Sequence, residues 1–431
     1  MREGAVRAER YVTRDDLPDP LYQQMVEAFL GNAEPWRSVN VGLRDAIVDF
    51  AGRHCPYYRN IIRPGQPFEE IPLLTKTIIR ERFEDLLAEG VPESRRVAKR
   101  TSGSSGEPLD FYRDSSQGPI EDNSAQRFLQ RLHAVPEQAT RVWLAASPLG
   151  SHRTDGSPEV HAVPTATLTP KHLEEEVATW ARFPAYHLYG HASAIDWTAD
   201  QIEERGLDLA APACVITTSD LLTAHAEDRI GRVFRCPVHS WYGSHEFNGF
   251  LAGTIPGTRR YAFNPLLCFV EVTDENGHRV PPGHEGHLVL TDLNNQVFPF
   301  IRYDIGDLAV RASDEHVGGW TVVEAISGRP SERLILPSGK LISGVGIGQR
   351  LFAENDAGRF VAFYQCAQIE PNELELRIVW RGDPSEETRR RIEELLRPLA
   401  DADTVIRTRD VEQLETLPSG KPWIVRSEFD R

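Results

Sequence analysis

Apolar positions in the first ~100 residues recur mainly at helical spacing. Within Val41–Phe50, Leu43, Ile47 and Phe50 fall three and four residues apart, the pattern of one helix face. Thr75, before Lys-Thr-Ile-Ile-Arg-Glu-Arg, puts a hydroxyl where a helix N-terminus needs an acceptor. Short apolar runs then alternate with longer amphipathic ones. Arg141–Ala146, Ala213–Thr218 and Val238–Tyr242 read as strands, and Lys171–Arg182, Ala199–Arg205 and Leu221–Phe234 as helices between them. That alternation predicts an α/β fold with parallel-type sheets flanked by helices. After Phe263 the texture turns β-rich: Cys268–Thr273 ends at the turn signal Asp274-Glu-Asn-Gly277, and Glu285–Leu290 and Trp320–Ala325 follow. From about Ser331 a smaller α+β unit is expected. It has strands Arg359–Ala367 and Glu373–Trp380 around Pro371-Asn372, a helix Ser385–Leu399, a strand Thr404–Thr408 and a polar tail Leu417–Arg431.

The chain has 431 residues, 40% of them hydrophobic, which is enough for a sizeable core and more than one domain. Its formal net charge of −16 disfavours general binding to nucleic acid or anionic membrane, so an anion needs a local site built for it. No run approaches the ~18 apolar residues of a membrane span, and Met1–Asp16 lacks a signal-peptide core. The expectation is a soluble cytoplasmic protein. Cys55, Cys214, Cys236, Cys268 and Cys366 are scattered without a CxxC pair, so they read as small buried hydrophobes in a reducing compartment.

Five segments can carry chemistry. Thr101-Ser-Gly-Ser-Ser-Gly-Glu-Pro108 is a run of small and hydroxyl residues whose backbone N–H groups can converge on phosphate oxygens. It is not a Walker loop, because no Lys-Ser/Thr follows the second glycine; a surface turn is the plainer reading. Trp241-Tyr-Gly-Ser-His-Glu246 follows a candidate strand, and strand ends in open α/β sheets bind ligands. Arg302-Tyr-Asp-Ile-Gly-Asp307 sets a carboxylate on a tight turn, able to accept from two vicinal hydroxyls or merely to stabilise the turn. Ser327-Gly-Arg329 lies at the texture change, and Leu417-Pro-Ser-Gly-Lys-Pro422 near the end carries a lysine that suits plain solvation as well as function.

Taken in order, these five segments resemble the adenylate-forming enzymes (acyl-CoA synthetases, adenylation domains and luciferases), and most of all the phenylacetate–CoA ligase branch. Cys55-Pro-Tyr-Tyr-Arg59 and Ile71-Pro-Leu-Leu-Thr-Lys76 resemble that branch's short N-terminal motifs. The resemblance runs from about residue 50 to about residue 425. It implies a large ATP- and acid-binding domain, residues 1–329, and a small mobile domain, residues 330–431, carrying a catalytic lysine. It implies ATP and Mg²⁺ as cofactors, a small-molecule carboxylic acid as substrate, release of pyrophosphate, and transfer of the acyl group to coenzyme A or a carrier protein. A homodimer is the base expectation for the assembly.

By the same resemblance Thr101, Ser102, Gly103, Ser104, Ser105 and Gly106 cover the β/γ-phosphates. Tyr242 packs on adenine beside Gly243 and Ser244, and Glu246 coordinates Mg²⁺. Ser219 and Asp220 stand where the branch has a Gly-Glu pair near the adenine edge. Asp307 binds the ribose hydroxyls, Arg329 reaches ribose or phosphate, and Ser331–Arg333 form the pivot. Lys421 bridges the acyl carboxylate and the α-phosphate, neutralising charge where it develops. Trp143, Tyr186, Tyr189 and Phe247 are candidates to line the acid pocket, though each suits a core position equally. Three departures bear on function: Glu107 replaces a lysine, His245 replaces a threonine and sets an imidazole beside Glu246, and Glu332-Arg333 departs from the usual pivot. They leave three readings open: an acid–thiol ligase of an aromatic or other small organic acid using coenzyme A, an adenylating enzyme with a carrier-protein, amine or other acceptor, and a non-catalytic nucleotide-binding protein.

Overall fold

The computed structural model describes residues 35–100, 109–117, 129–136, 138–145, 160–164, 170–219, 224–247, 249–328, 333–338, 341–343, 360–380, 382–415 and 423–429, with Leu168, Leu222, Ile347 and Leu351 between them. In chain order come helices α1 (Pro35–His54), α2 (Pro56–Ile61), α3 (Lys76–Glu81) and α4 (Phe83–Leu86), then strands β1 (Arg96–Arg100), β2 (Asp110–Asp114), β3 (Thr140–Ala145) and β4 (Val160–Pro164). Helix α5 (Pro170–Trp180), β5 (Tyr186–His191), α6 (Ala192–Arg205), β6 (Val215–Thr218), α7 (Ala224–Phe234) and β7 (Val238–Ser244) follow. A run of strands continues as β8 (Gly249–Thr254), β9 (Tyr261–Phe263), β10 (Cys268–Thr273), β11 (Glu285–Asp292), β12 (Tyr303–Val317) and β13 (Trp320–Gly328). The C-terminal part has β14 (Arg333–Ile335), β15 (Leu341–Ser343), β16 (Val361–Glu370), β17 (Glu373–Trp380), α8 (Glu386–Leu396), β18 (Val405–Asp410) and β19 (Val425–Ser427).

The described residues form two compact units. One draws on the described residues within 35–100, 109–134 and 241–328, the other on those within 135–240 and 333–429. In the first unit the strands run β10-β11-β12-β13-β9-β8-β7, each pair antiparallel. The antiparallel part therefore begins at β8, before Phe263, because the short turn His245–Phe247 folds the chain straight back from β7. The turn signal at Asp274–Gly277 acts as expected. The Asp274 carboxylate accepts from the N–H groups of Asn276 and His278, both at 2.9 Å, and Gly277 takes the left-handed φ of +83° that closes the turn into the β10–β11 pairing.

Thr75 caps α3, its hydroxyl accepting from Ile78 N–H at 3.3 Å. The segment before that cap is tied to β12 by one buried cation. Arg302 is 2% exposed. Its Nε and Nη2 donate to the two Glu271 oxygens at 3.1 and 3.0 Å. Nη1 donates to the carbonyls of Glu69 and Ile71 at 2.5 and 2.7 Å, and Nη2 to that of Gly277 at 2.7 Å. All five guanidinium N–H groups are used, as a buried arginine requires. Backbone bonds then join Leu74 N–H to the Arg302 carbonyl and Asp304 N–H to the Leu74 carbonyl, both at 2.9 Å.

In the second unit β4-β3-β5-β6 are parallel. Val142, Leu144, Val163, Leu188 and Val215 share one sheet face and pack with Leu173, Val177, Ile195, Ile202 and Ile230 of α5, α6 and α7. The expected strand–helix alternation is present, with α6 starting earlier than its amphipathic pattern, at Ala192. A separate sheet orders β18-β17-β16-β19, with α8 capped by Ser385. The polar tail supplies β19, which pairs parallel with β16; pairing partners, not hydropathy, make so short a strand. All five cysteines are free, four of them buried and Cys236 partly so, and burial pushes the Cys55, Cys214, Cys236 and Cys366 thiols up to about 12. Among the described residues no helix is long and apolar enough to cross a membrane.

Arg302→Met should cost about 3–5 kcal/mol, because Glu271 is left buried without its counter-ion. Urea unfolding followed by tryptophan fluorescence should show the lowered midpoint, and a midpoint equal to wild type would rule out this anchoring role.

Candidate active site

Strand β7 ends in the segment that the sequence marks as chemical. Trp241 is buried: its indole N–H donates to His133 Nδ1 at 2.9 Å, which leaves His133 Nε2 as the donor to the Thr254 carbonyl at 2.8 Å. Gly243 sits at a register shift, and a Cβ there would collide with the Gly249 backbone on β8, so its close approach is to the neighbouring strand. His245 is exposed, whereas Glu246 and Phe247 turn inward, 4% and 2% exposed. Phe247 lies in an aromatic cluster with Phe300 and Tyr303, at ring-centroid distances of 5.8 and 6.3 Å.

Two carboxylates of the first unit are held by exchanged tyrosines. Tyr303, next to the Arg302 anchor, donates to Glu246 Oε1 at 3.2 Å. Tyr242, on β7, donates to Asp307 Oδ2 at 2.6 Å. The tyrosine of each motif thus binds the carboxylate of the other, so Trp241–Glu246 and Arg302–Asp307 face each other. Ser244 Oγ adds a bond to the other Glu246 oxygen and accepts from Glu246 N–H at 3.2 Å, while the Arg113 guanidinium donates to the His245 carbonyl. The Tyr242 ring packs edge-on to Phe263 at 5.9 Å. Gly306, at φ +88°, makes the turn between Asp304 and Asp307, its N–H bonded to Asp304 Oδ1 at 3.0 Å.

A lone buried carboxylate suits Mg²⁺, which is commonly held by one or two carboxylates and completed by substrate phosphates and water. Among the described residues no cluster of three His, Cys, Asp or Glu could hold a metal by itself.

In the second unit the parallel register Arg141↔His187 and Trp143↔Tyr189 places these four side chains on the sheet face opposite Val142 and Leu188. The Trp143 and Tyr189 rings lie 6.3 Å apart, and the Arg141 guanidinium stands over Tyr189 at 5.3 Å. Thr218 of β6 hydrogen-bonds the Tyr189 phenol, whose burial pushes it up to about 12. Tyr186 alternates to the other face, against Trp180 and Phe183, and its hydroxyl donates to the Ala210 carbonyl. Ser219 follows β6 with φ +72°, a backbone choice that non-glycine residues make rarely. Thr101, Ser102, Gly103, Ser104, Ser105, Gly106, Glu107, Asp220, Arg329 and Lys421 lie outside the described residues, as do Ser331 and Glu332 of the expected pivot.

Sequence reasoning named the two carboxylates and Tyr242 but missed Tyr303, Arg113, Arg141 and His187. Tyr303 sat inside a motif already singled out. Arg141-Val-Trp and His187-Leu-Tyr-Gly-His alternate polar and apolar positions, the sign of a strand with one chemical face.

The fold is that of solved 2-hydroxyisobutyryl-CoA ligase structures. Solved structures of a 2-hydroxyisobutyryl-CoA ligase match the chain at 20% identity and TM-score 0.57 in a postadenylation state, covering 91% of this chain and 90% of that one. The same ligase in its thioesterification state, with 2-HIB-AMP and CoA, matches at 19% and 0.57 with the same coverage. An open conformation matches at 20% and 0.53, covering 90% of each chain. No family model matches the chain, and no curated protein matches it.

Burial holds two histidines of the second unit neutral. His187 is pushed down to about 3, with the Arg141 charge adding to the burial effect, and His239 to about 4. Both values lie below the ordinary histidine value of 6.5, so in acid the unfolded chain takes up protons that the folded one refuses. Their contribution is complete above about pH 6.5 and is lost as pH falls toward 4 and 3. In His187→Leu the fall of unfolding free energy between about pH 6 and 4 should be shallower by ~1.4 kcal/mol per pH unit. Chemical denaturation at several pH values measures this, and a slope unchanged from wild type would mean that the ring titrates normally.

Proposed function

We propose that the protein is an ATP-dependent acid–thiol ligase that activates a small carboxylic acid as its acyl-adenylate and passes the acyl group to coenzyme A. The observation that carries this reading is the exchange of tyrosines between Trp241–Glu246 and Arg302–Asp307, which brings together two carboxylates suited to a metal–phosphate group and to vicinal hydroxyls. The solved 2-hydroxyisobutyryl-CoA ligase with acyl-AMP and CoA supports it at the level of fold.

In this reading Asp307 accepts from the ribose hydroxyls. Glu246 holds Mg²⁺, which when bound supplies positive charge to the phosphates. Residues 101–106 cradle the β/γ-phosphates, Ser219 and Asp220 edge the base, and Arg329 reaches the ribose. The acid faces Trp143 and Tyr189. The placement in the phenylacetate–CoA ligase branch, and with it an aromatic acid, rests on Cys55-Pro-Tyr-Tyr-Arg59 and Ile71-Pro-Leu-Leu-Thr-Lys76. Residues 1–329 form the ATP- and acid-binding domain, and residues 330–431 the mobile domain that carries Lys421. Two anions repel each other as they react, and the ammonium of Lys421 offsets that repulsion at the carboxylate and α-phosphate. A point charge on a moving element can withdraw before the thiol arrives.

One observation favours a different acceptor. His245 is exposed beside Glu246, where the branch carries threonine, and an imidazole there can take a proton from an incoming amine or thiol.

Acid-dependent exchange of labelled pyrophosphate into ATP tests the proposal. Wild type should exchange with at least one acid of a broad panel. Lys421→Ala and Glu246→Gln should each lower the rate by ~10²–10³, and Asp307→Ala should mainly raise the KM for ATP. Mass spectra of products with coenzyme A, a carrier protein and amines identify the acceptor. No exchange with any acid, despite ATP binding, would remove the enzymatic reading.

A further inference from the structure

Asp307 stands on an irregularity of the β11–β12 ladder. His287 pairs with Leu308, and Val289 pairs with Asp304. The single residue Leu288 of β11 therefore faces Ile305, Gly306 and Asp307 of β12, which carries two residues more than its partner at this point. Bulges of this kind re-aim side chains and collect beside functional sites. Leu288 and Ile305 are buried in the core of the first unit, whereas Asp304, Gly306 and Asp307 are only partly buried. Gly306 takes the left-handed φ of +88° that the detour needs.

One carboxyl closes the detour. Asp304 is the last regular residue before the bulge, and its N–H is fixed to the Leu74 carbonyl at 2.9 Å. Its Oδ1 accepts from Gly306 N–H at 3.0 Å, inside the bulge. Its Oδ2 is bonded by His287 Nδ1 at 3.0 Å, and His287 is the strand partner of the first regular residue after the bulge. The pair thus ties the two feet of the bulge together. The His287 and Asp304 side chains are 39% and 20% exposed, and a pair so open to water contributes little to net stability. What sets it apart is its place beneath Asp307.

We propose that His287 and Asp304 are positioning residues for Asp307: they pin the β12 bulge that aims its carboxyl at the ribose hydroxyls of a nucleotide. The inference rests on the reading of Asp307 as the ribose-binding carboxyl and names the groups that set it. A carboxyl that meets two vicinal hydroxyls must be fixed in orientation as well as in place. Tyr242 bonds Oδ2 from β7 at 2.6 Å, and the backbone of the bulge supplies the direction from which the side chain leaves β12. When the Asp304 carboxyl is lost, Gly306 N–H loses its acceptor and His287 its partner, and the two extra residues can settle elsewhere. The carboxyl of Asp307 then keeps its chemistry and loses its aim.

The test measures Kd for ATP and for 2′-deoxy-ATP by calorimetric titration without any acid, so it does not depend on turnover. Variants are Asp304→Ala, Asp304→Asn, His287→Leu and His287→Asn, with Asp307→Ala as the reference and thermal melts to confirm folding. Wild type should favour ATP by at least ~tenfold, because a site built for a hydroxyl rejects the analogue that lacks it. Asp307→Ala should bring the ratio near one. Asp304→Ala and His287→Leu should lower it at least ~threefold by weakening ATP alone, with 2′-deoxy-ATP bound as in wild type. Asp304→Asn keeps an acceptor for Gly306 N–H, and His287→Asn keeps a donor near the place of Nδ1, so each should restore part of the ratio. A merely structural role would weaken both nucleotides alike and leave the ratio unmoved. If Asp307→Ala collapses the ratio while the Asp304 and His287 variants stay within about twofold of wild type, the positioning role is overturned and the ribose role of Asp307 stands. A wild-type ratio near one, a ratio that Asp307→Ala leaves intact, or no binding of either nucleotide removes the ribose role and the positioning role together. Should Asp304→Ala fail to fold, the His287 variants, at a partly exposed side chain, decide the same question.

Discussion

The first unit depends on a single charge placed out of water. Arg302 occupies a position where a buried guanidinium must find five acceptors, and it finds them on three separate segments, residues 69–71, Glu271 and Gly277. Its backbone takes a left-handed φ of +49°, a conformation that costs energy in a residue with a side chain and persists when its surroundings over-determine it. Burial raises the Glu271 carboxyl above its ordinary value, and Arg302 opposes that. The pair is a device for position more than for net stability, since buried ion pairs roughly offset their own desolvation.

From that anchor the geometry of the carboxylates follows. Tyr303 is the next residue, fully buried, and its hydroxyl meets Glu246. Four residues further, beyond the Gly306 turn, Asp307 receives Tyr242. One bond joins β12 to the turn after β7 and the other joins β7 to β12, strands that are not neighbours in the sheet order. Two phenol hydroxyls therefore hold two carboxyl groups at set positions. Phe247, Phe298, Phe300 and Tyr303 form an aromatic cluster that includes the tyrosine bonded to Glu246.

The sheet of the second unit divides its labour by parity. Odd and even positions of β3 and β5 point to opposite faces, so Val142, Leu144, Tyr186 and Leu188 pack under helices while Arg141, Trp143, His187 and Tyr189 make a separate chemical face. Tyr186 and Tyr189, three apart in sequence and alike in composition, therefore do different things. The first is packing; the second has a cation, a hydroxyl and an indole around it.

Much was determined by local sequence alone. Apolar spacing marked α1, the alternation of strands and helices from β3 to β7, and the paired strands β16 and β17. Thr75 and Asp274–Gly277 marked a cap and a turn, because caps and turns are decided by the residues in them. The order of short polar segments pointed to Glu246 and Asp307. What only the tertiary structure decided is which residues meet. Hydropathy cannot show that Tyr303 serves Glu246, that Arg302 is an anchor and not a ligand group, or that β8 turns back at once, since each depends on partners between 5 and more than 200 residues away in sequence. Strand register, which no single segment specifies, set His187 beside Arg141 and gave the protein its second chemical face.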